Sequence, residues 1–227
     1  MISMPAVRDL RPQAFGRRNP RHIEDPLIEP VWIGRRVLAH VENGRAEMVD
    51  EDGETVDAGG TLAAVASAVD TPSAVVDGYL TVQALQRTEG VFTGDDIPVA
   101  TPGAVARQLF LGGSRNRRKE LAESTESPVE MPEIADIDAA FVAVDLLVLD
   151  GESLLDVPLL ERKRLLESIF REGTLTRIGI HIRPPIGPWL STWRAAGFRS
   201  LAWKHPNSRY RPGERNDDWA VSPIPRR

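Results

Sequence analysis

Cysteine is absent from this 227-residue chain, which excludes disulfides, thiolate metal sites and cysteine nucleophiles. Lysine is nearly absent. It occurs only at Lys119, Lys163 and Lys204, and every other basic residue among the 28 is arginine. Chemistry that needs a lysine amine is confined to those three positions. The histidines His22, His40, His181 and His205 are dispersed without ligand spacing, so no metal site is expected; His40 and His181 read as packed or surface residues. No apolar run approaches the roughly 18 residues of a membrane helix. The first 22 residues lack the apolar stretch of a secretory signal. Phosphate loops of the G-x-x-x-x-G-K-[ST] or G-x-G-x-x-G type do not occur. A cytoplasmic protein with no membrane partner is expected.

What is present describes a folded domain. Apolar residues make up 41% and charged residues 27%, enough to bury a core in one large domain or two small ones. The net charge of −5 is unevenly spread. Residues 1–22 carry five Arg against Asp9, and residues 199–227 carry seven Lys or Arg against Glu214, Asp217 and Asp218, which leaves the middle strongly acidic. Basic ends of this kind can meet phosphates, and Arg17, Arg18, Arg209, Arg211 and Arg215 are the candidate contacts. A solvated tail is the plainer alternative.

Residues 1–26, rich in Pro and Arg, read as a basic arm able to dock on the body formed by 27–227. Asn43-Gly44 between RVLAHVE and RAEMV predicts a type I′ hairpin. Residues 61–70 read as a helix with Thr61 as N-cap, and 73–85 as a strand bulged at Gly78. Residues 101–111 read as a short helix, and 112–133, which include Gly112-Gly113 and SRNRRK, as an exposed flexible insertion. FVAVDLLVLDG (141–151) is the clearest buried strand, PLLERKRLLESIF (158–170) an amphipathic helix, and RIGIHI (177–182) a strand. A helix opened by Pro188 and closed by Gly197 follows, then strands at 198–204 and 218–222. Hairpins and scattered helices without βαβ alternation indicate an α+β fold with mainly antiparallel sheets and packed helices. Asp136 and Asp138 offer further carboxylates, while Asp145 and Asp150, five apart on a strand, point to opposite faces and so form no acid/base pair.

Several segments, in order, resemble the adenylation (nucleotidyltransferase) domain of ATP-dependent DNA ligases, the bacterial end-joining type in particular. EPVWIGRR (29–36) with VLAHVENGR is similar to the family's E-P-K-W-D-G-Y-R opening, and VVDGYLTV (75–82) to V-L-D-G-E-L-V-V. FVAVDLLVLDG followed by VPLLERKRLL resembles Y-V-A-F-D-L-L-Y-L-D-G followed by L-P-L-x-E-R-R-x-L-L. RSLAWKHPNSRYRPGERNDDWAVSPI (199–224) resembles E-G-V-V-A-K-R-x-x-S-x-Y-R-P-G…D-W-L-K-V-K. The resemblance implies that family's fold, and a chain ending at 227 implies no OB-fold domain after it. The family uses ATP and Mg2+.

The departures fall on the chemistry. In the family a lysine attacks the α-phosphate of ATP; the matching residue is Val31, which has no lone pair to offer. The aspartate two residues later is Ile33, the arginine of the family's S-R-N-G segment is Glu51, and the glutamate of D-G-E is Tyr79. The metal-holding glutamate of E-G-x-x-x-K is Arg199, the adenine-stacking aromatic is Val144, and the two lysines of D-W-L-K-V-K are Val221 and Pro223. Glu29, Arg36 and Lys204 persist among the pocket positions. Phosphoryl transfer spreads negative charge over its oxygens, and the groups that would stabilise it are missing together. The reading is a ligase-like pseudoenzyme acting through a protein partner or DNA, with no cofactor expected. The alternative is an active nucleotidyltransferase or ligase in DNA repair that uses Lys204, which otherwise serves as a relic cation paired with Asp218 or Asp77. A module that binds nucleotide without transferring it ranks last.

Overall fold

A computed structural model describes residues 9–84 and 139–225. The expected helix at 101–111, the insertion at 112–133, and Asp136 and Asp138 lie outside the described residues. In chain order the elements are β1 (Ala14–Phe15), a 3-10 turn (Pro20–His22), β2 (Leu27–Pro30), β3 (Arg35–Glu42), β4 (Arg45–Asp50), α1 (Gly60–Ala68) and β5 (Ser73–Thr81). There follow β6 (Ala140–Leu149), β7 (Glu152–Ser153), α2 (Leu159–Ile169), β8 (Thr176–Ile178), α3 (Gly187–Ala195), β9 (Ser200–Lys204), β10 (Arg215–Asn216) and β11 (Trp219–Pro223).

The larger sheet runs β4-β3-β5-β6-β7, antiparallel throughout, with β8 added parallel to β6. The β3–β4 hairpin turns through Asn43 and Gly44, both at positive φ, as a type I′ turn requires. The β5–β6 register shifts on both sides of Val76-Asp77, and Gly78 is needed there: a Cβ would lie 2.4 Å from the Phe141 ring. One face carries Val37, Ala39, Val76, Phe141 and Ala143 against α1 and α2. Each fully buried large side chain in this layer contributes about 1.5–3 kcal/mol.

A three-stranded antiparallel sheet, β11-β9-β2, packs across the other face. Side chains alternate along a strand, so its two faces differ. Leu27 and Trp219 point inward to Leu38, Val75 and Leu147, while Ile28, Leu201 and Trp203 point outward to Trp193 and Phe198 beside α3. Glu29 and Lys204 share the inward face by register. Pro223, lacking an N–H, sits on the edge strand. A third, two-stranded parallel sheet joins β1 to β10. Through it residues 9–26, the expected arm, lie on the body, with Leu10 and Gln13 buried.

Two local expectations are corrected. Thr61 does not cap α1; Gly59 occupies that position, and the Thr61 hydroxyl donates to Ala139 O (2.6 Å), tying α1 to β6. The strand expected at 177–182 is divided. Thr176–Ile178 joins β6, then Gly179 passes so close to Val144 that a Cβ would sit 3.0 Å away, and the chain crosses to the smaller sheet. There Ile182 and Ile28 exchange hydrogen bonds of 2.8 and 2.9 Å. No described helix is long and apolar enough to cross a membrane.

Candidate functional site

The inward face of the smaller sheet carries charge into the interior. Glu29, from β2, accepts from Lys204 Nζ of β9 at 2.8 Å and pairs with Lys163 Nζ of α2 at 2.7 Å, one lysine on each carboxylate oxygen. Lys163 also donates to the Val144 carbonyl oxygen (2.8 Å), and Lys204 Nζ lies 4.1 Å from the centroid of the Trp219 ring. All three charged side chains are under 10% exposed. Burial alone would raise the Glu29 carboxyl; the two ammonium groups outweigh it and hold it at about 2, against 4.5. Burial lowers the Lys204 ammonium, with Glu29 opposing and Lys163 adding to the fall. Lys204 therefore does not pair with Asp218 or Asp77, as expected from sequence; β2 brings Glu29 to it instead.

Beside this triad lie two further buried pairs. Arg36, from β3, grips Asp77 of β5 with two hydrogen bonds (3.0 and 2.7 Å), and its third arm donates to Gln13 O (2.8 Å). Tyr210 donates to the same carboxylate (2.7 Å), and its hydroxyl accepts from Gln13 N (2.8 Å). Burial works against the Arg36 charge, but Asp77 carries its pKa well above the ordinary arginine value; burial and Asp77 push Tyr210 up. Asp145 of β6 is held by two bonds from Arg162 of α2 (2.9 and 2.7 Å), and Arg162 also donates to Ser208 O (3.1 Å). Trp219 is packed among these groups and donates to Ser208 Oγ (2.9 Å). Among the described residues, the layer between the sheets thus holds three carboxylates and four cations, each carboxylate already engaged by at least one cation.

The remaining residues that the resemblance sets around a nucleotide divide. Tyr79 faces the Arg36 guanidinium at 5.7 Å and so joins the ionic layer, where burial raises its phenol pKa. Val31 and Ile33 act through their backbones. Val31 N donates to Ser200 O (2.9 Å), while Ile33 N meets Gln83 and Ile33 O accepts from Thr81 Oγ1. Gly34 passes so close to Leu80 that a Cβ would lie 2.1 Å from its carbonyl oxygen. Val144 is 3% exposed, whereas Val221, aligned with Glu29 across Ala202, is 45% exposed. Arg199 is exposed at the start of β9 and Glu51 is exposed in the turn after β4. Asp150 stands apart from Asp145 in the β6–β7 turn, where it accepts from Thr71 and Ser73. His40 lies in β3; His181 is lowered by burial, then by Lys163, to about 4. Among the described residues no group of three His, Asp or Glu converges as metal ligands do.

Sequence reasoning passes over Arg162 and gives Lys163 only as one of the three available amines, without a partner. Both sit on α2 within a run that reads as the polar stripe of an amphipathic helix, yet both are buried. A signal was present in the strands facing them: Asp145 and Glu29 interrupt apolar stretches and need buried partners.

Comparisons with known proteins agree with this architecture. The family model for the ATP dependent DNA ligase domain matches residues 110–220. A DNA ligase of Natronomonas pharaonis is 28% identical over 193 residues, 85% of this chain and 31% of that protein. The ligase domain of Mycobacterium tuberculosis DNA ligase D superposes with a TM-score of 0.63 at 21% identity, covering 96% of this chain and 61% of that one. A mycobacterial DNA ligase D complexed with ATP gives 0.61 at 20%, with the same coverage. A DNA ligase of the Lig E type gives 0.53 at 14%, over 94% of this chain and 69% of that one. The chain therefore spans about a third of the curated relative and under two thirds of the ligase D chains.

Proposed function

We propose that this chain, which has the fold of the adenylation domain of ATP-dependent DNA ligases and is similar to them in sequence, does not adenylate itself and acts by binding, to a protein partner or to DNA. One observation carries the reading: Lys163 and Lys204, the two lysines among the described residues, are both engaged by Glu29, while the resemblance sets Val31 where the family has its lysine. An attacking amine must be neutral and free to approach phosphorus. An ammonium shared with a buried carboxylate is neither.

The donor set does not suit a magnesium nucleotide. Glu29, Asp77 and Asp145 are already neutralised by Lys or Arg, so a divalent cation would have to displace a buried ion pair to gain a ligand. No step through metal or nucleotide is assigned. A cytoplasmic role in DNA repair belongs to the same reading; its repair part rests on the family resemblance alone.

The competing reading makes Lys204 a relocated nucleophile, favoured by the burial that lowers its pKa. Intact-protein mass after incubation with ATP and magnesium separates the two, with an active ligase as control and Lys204→Met and Lys163→Met beside the wild type. An unchanged wild-type mass is expected. A gain of one AMP that disappears in Lys204→Met establishes the competing reading, and one that disappears only in Lys163→Met moves the nucleophile to α2.

A further inference from the structure

Arginine accumulates at both ends of the sequence, and the fold joins the two accumulations. Pairing of β1 with β10 sets Ala14 beside Arg215 and Phe15 beside Asn216. Ala14 N donates to Glu214 O (2.9 Å), Gly16 N to Trp219 O (2.8 Å), Gly213 N to Arg11 O (3.1 Å), and Arg17 N to Asp217 Oδ1 (3.0 Å). This clasp delivers Arg17 and Arg18 to the loop that carries Arg209, Arg211 and Arg215. All five are exposed. Among the described residues, Arg17, Arg18, Arg209 and Arg211 have no side-chain ion pair, whereas Arg36 and Arg162 nearby are buried against carboxylates. Glu214, Asp217 and Asp218 interrupt the patch without balancing it.

We infer that the β1–β10 clasp assembles two separate arginine clusters into one surface for the phosphate backbone of nucleic acid, so that docking of the N-terminal strap and binding are thermodynamically linked. The inference rests on the DNA-binding arm of the reading above. Its physical basis is that only two residues pair on each side of the clasp, and the strap's position decides how many cations one backbone can meet. Each phosphate contact on duplex DNA adds about 0.9 to the salt dependence of binding. By reciprocity, nucleic acid that contacts both clusters stabilises the docked strap.

Gly16 provides the perturbation. A Cβ there would lie 2.5 Å from Asp217 Cα and 2.6 Å from Asn216 O, both backbone atoms, so Gly16→Ala and the larger Gly16→Val open the clasp at its exposed end. Binding of a short duplex oligonucleotide is measured across a salt series for wild type, both Gly16 variants, Arg17→Ala/Arg18→Ala, and the combinations. Hydrogen exchange at Ala14, Gly16 and Gly213 reports the clasp, and exchange in β5 and β6 reports the intact fold. The Gly16 variants are expected to speed exchange at the clasp alone and to reduce the salt slope by about 1.8, for two contacts. The arginine double variant should lose the same amount, and the combination no more. A full slope with the clasp open overturns the inference, as do clasp amides that stay protected in both variants. Failure of the wild type to bind the duplex also overturns it. None of these results changes the AMP mass measurement, so the two readings fail separately.

Discussion

Replacing Glu29 with glutamine tests the ionic layer at the carboxylate that two lysines share. The carboxylate holds two ammonium groups at 2.7 and 2.8 Å, with the surrounding strands excluding water. A glutamine side chain offers one acceptor oxygen in place of two, and its amide N–H2 would face the second lysine, donor to donor. Lys163 and Lys204 would then be two like charges in a low-dielectric layer, one of them without an acceptor. Breaking a buried pair by removing one partner costs about 3–5 kcal/mol. The carboxyl gives an independent figure: a fall from 4.5 to about 2 corresponds to about 3 kcal/mol of preference for the ionised form.

For a chain of this size that loss lowers Tm by about 6–20 °C. The sign with pH follows from the depressed pKa. Glu29 contributes its full stabilisation above pH 4.5 and loses it as the pH falls through about 2, because the unfolded carboxyl takes up its proton first. Urea denaturation at pH 7 should therefore show the wild type more stable than Glu29→Gln by about 3 kcal/mol or more. The gap should narrow steadily from pH 5 towards pH 2. A gap under about 1 kcal/mol at pH 7, the range of an exposed pair, would refute the claim that this triad is desolvated. A gap that stays constant to low pH would refute the assignment of the effect to the Glu29 charge.

Removing one lysine should cost much less than removing Glu29, because the carboxylate keeps the other; Lys204→Met is expected to cost under about 2 kcal/mol in the same denaturation assay. Replacing all three, as Glu29→Met/Lys163→Met/Lys204→Met, should recover most of the loss, since apolar side chains of similar volume require no pairing. Gly78→Val should destabilise by about 1–3 kcal/mol in thermal melts, because its side chain would enter the space of the Phe141 ring. In an NMR titration His181 should stay neutral until about pH 4, since burial and the Lys163 charge oppose its protonation, and a midpoint near 6.5 would contradict its placement.

The sequence carried the elements more fully than their connections. Asn43-Gly44, Gly78, Pro188 and Gly197 announce a hairpin, a bulge and the ends of a helix because each effect is local to a few backbone angles. Thr61 misled because a hydroxyl suited to a helix N-cap is equally suited to a buried carbonyl, and only the approach of Ala139 decides between them. The 177–182 strand misled because alternation records burial without naming the sheet; the crossing at Gly179 depends on how closely β6 passes.

The ionic layer was hidden for a related reason. Two of the bonds that define it span distant segments, Glu29 to Lys204 across 175 positions and Tyr210 to Asp77 across 133, and even Arg162 and Asp145 lie in different elements. A sequence shows that Asp77, Asp145 and Glu29 interrupt apolar strands, so it signals that buried charges need partners without choosing them. The choice follows from topology. β2, β5 and β6 present carboxylates to the space between the sheets, and β3, β9 and α2 present the cations. A nucleotide and its metal would have to enter among charges that already satisfy one another. Placing a lysine at position 31 would therefore supply an amine but leave those pairs intact, and Val31→Lys alone is expected to form no adenylate in the intact-mass assay. Adenylation by that single variant would show that the ionic layer yields to the nucleotide and would overturn the argument that these pairs exclude it.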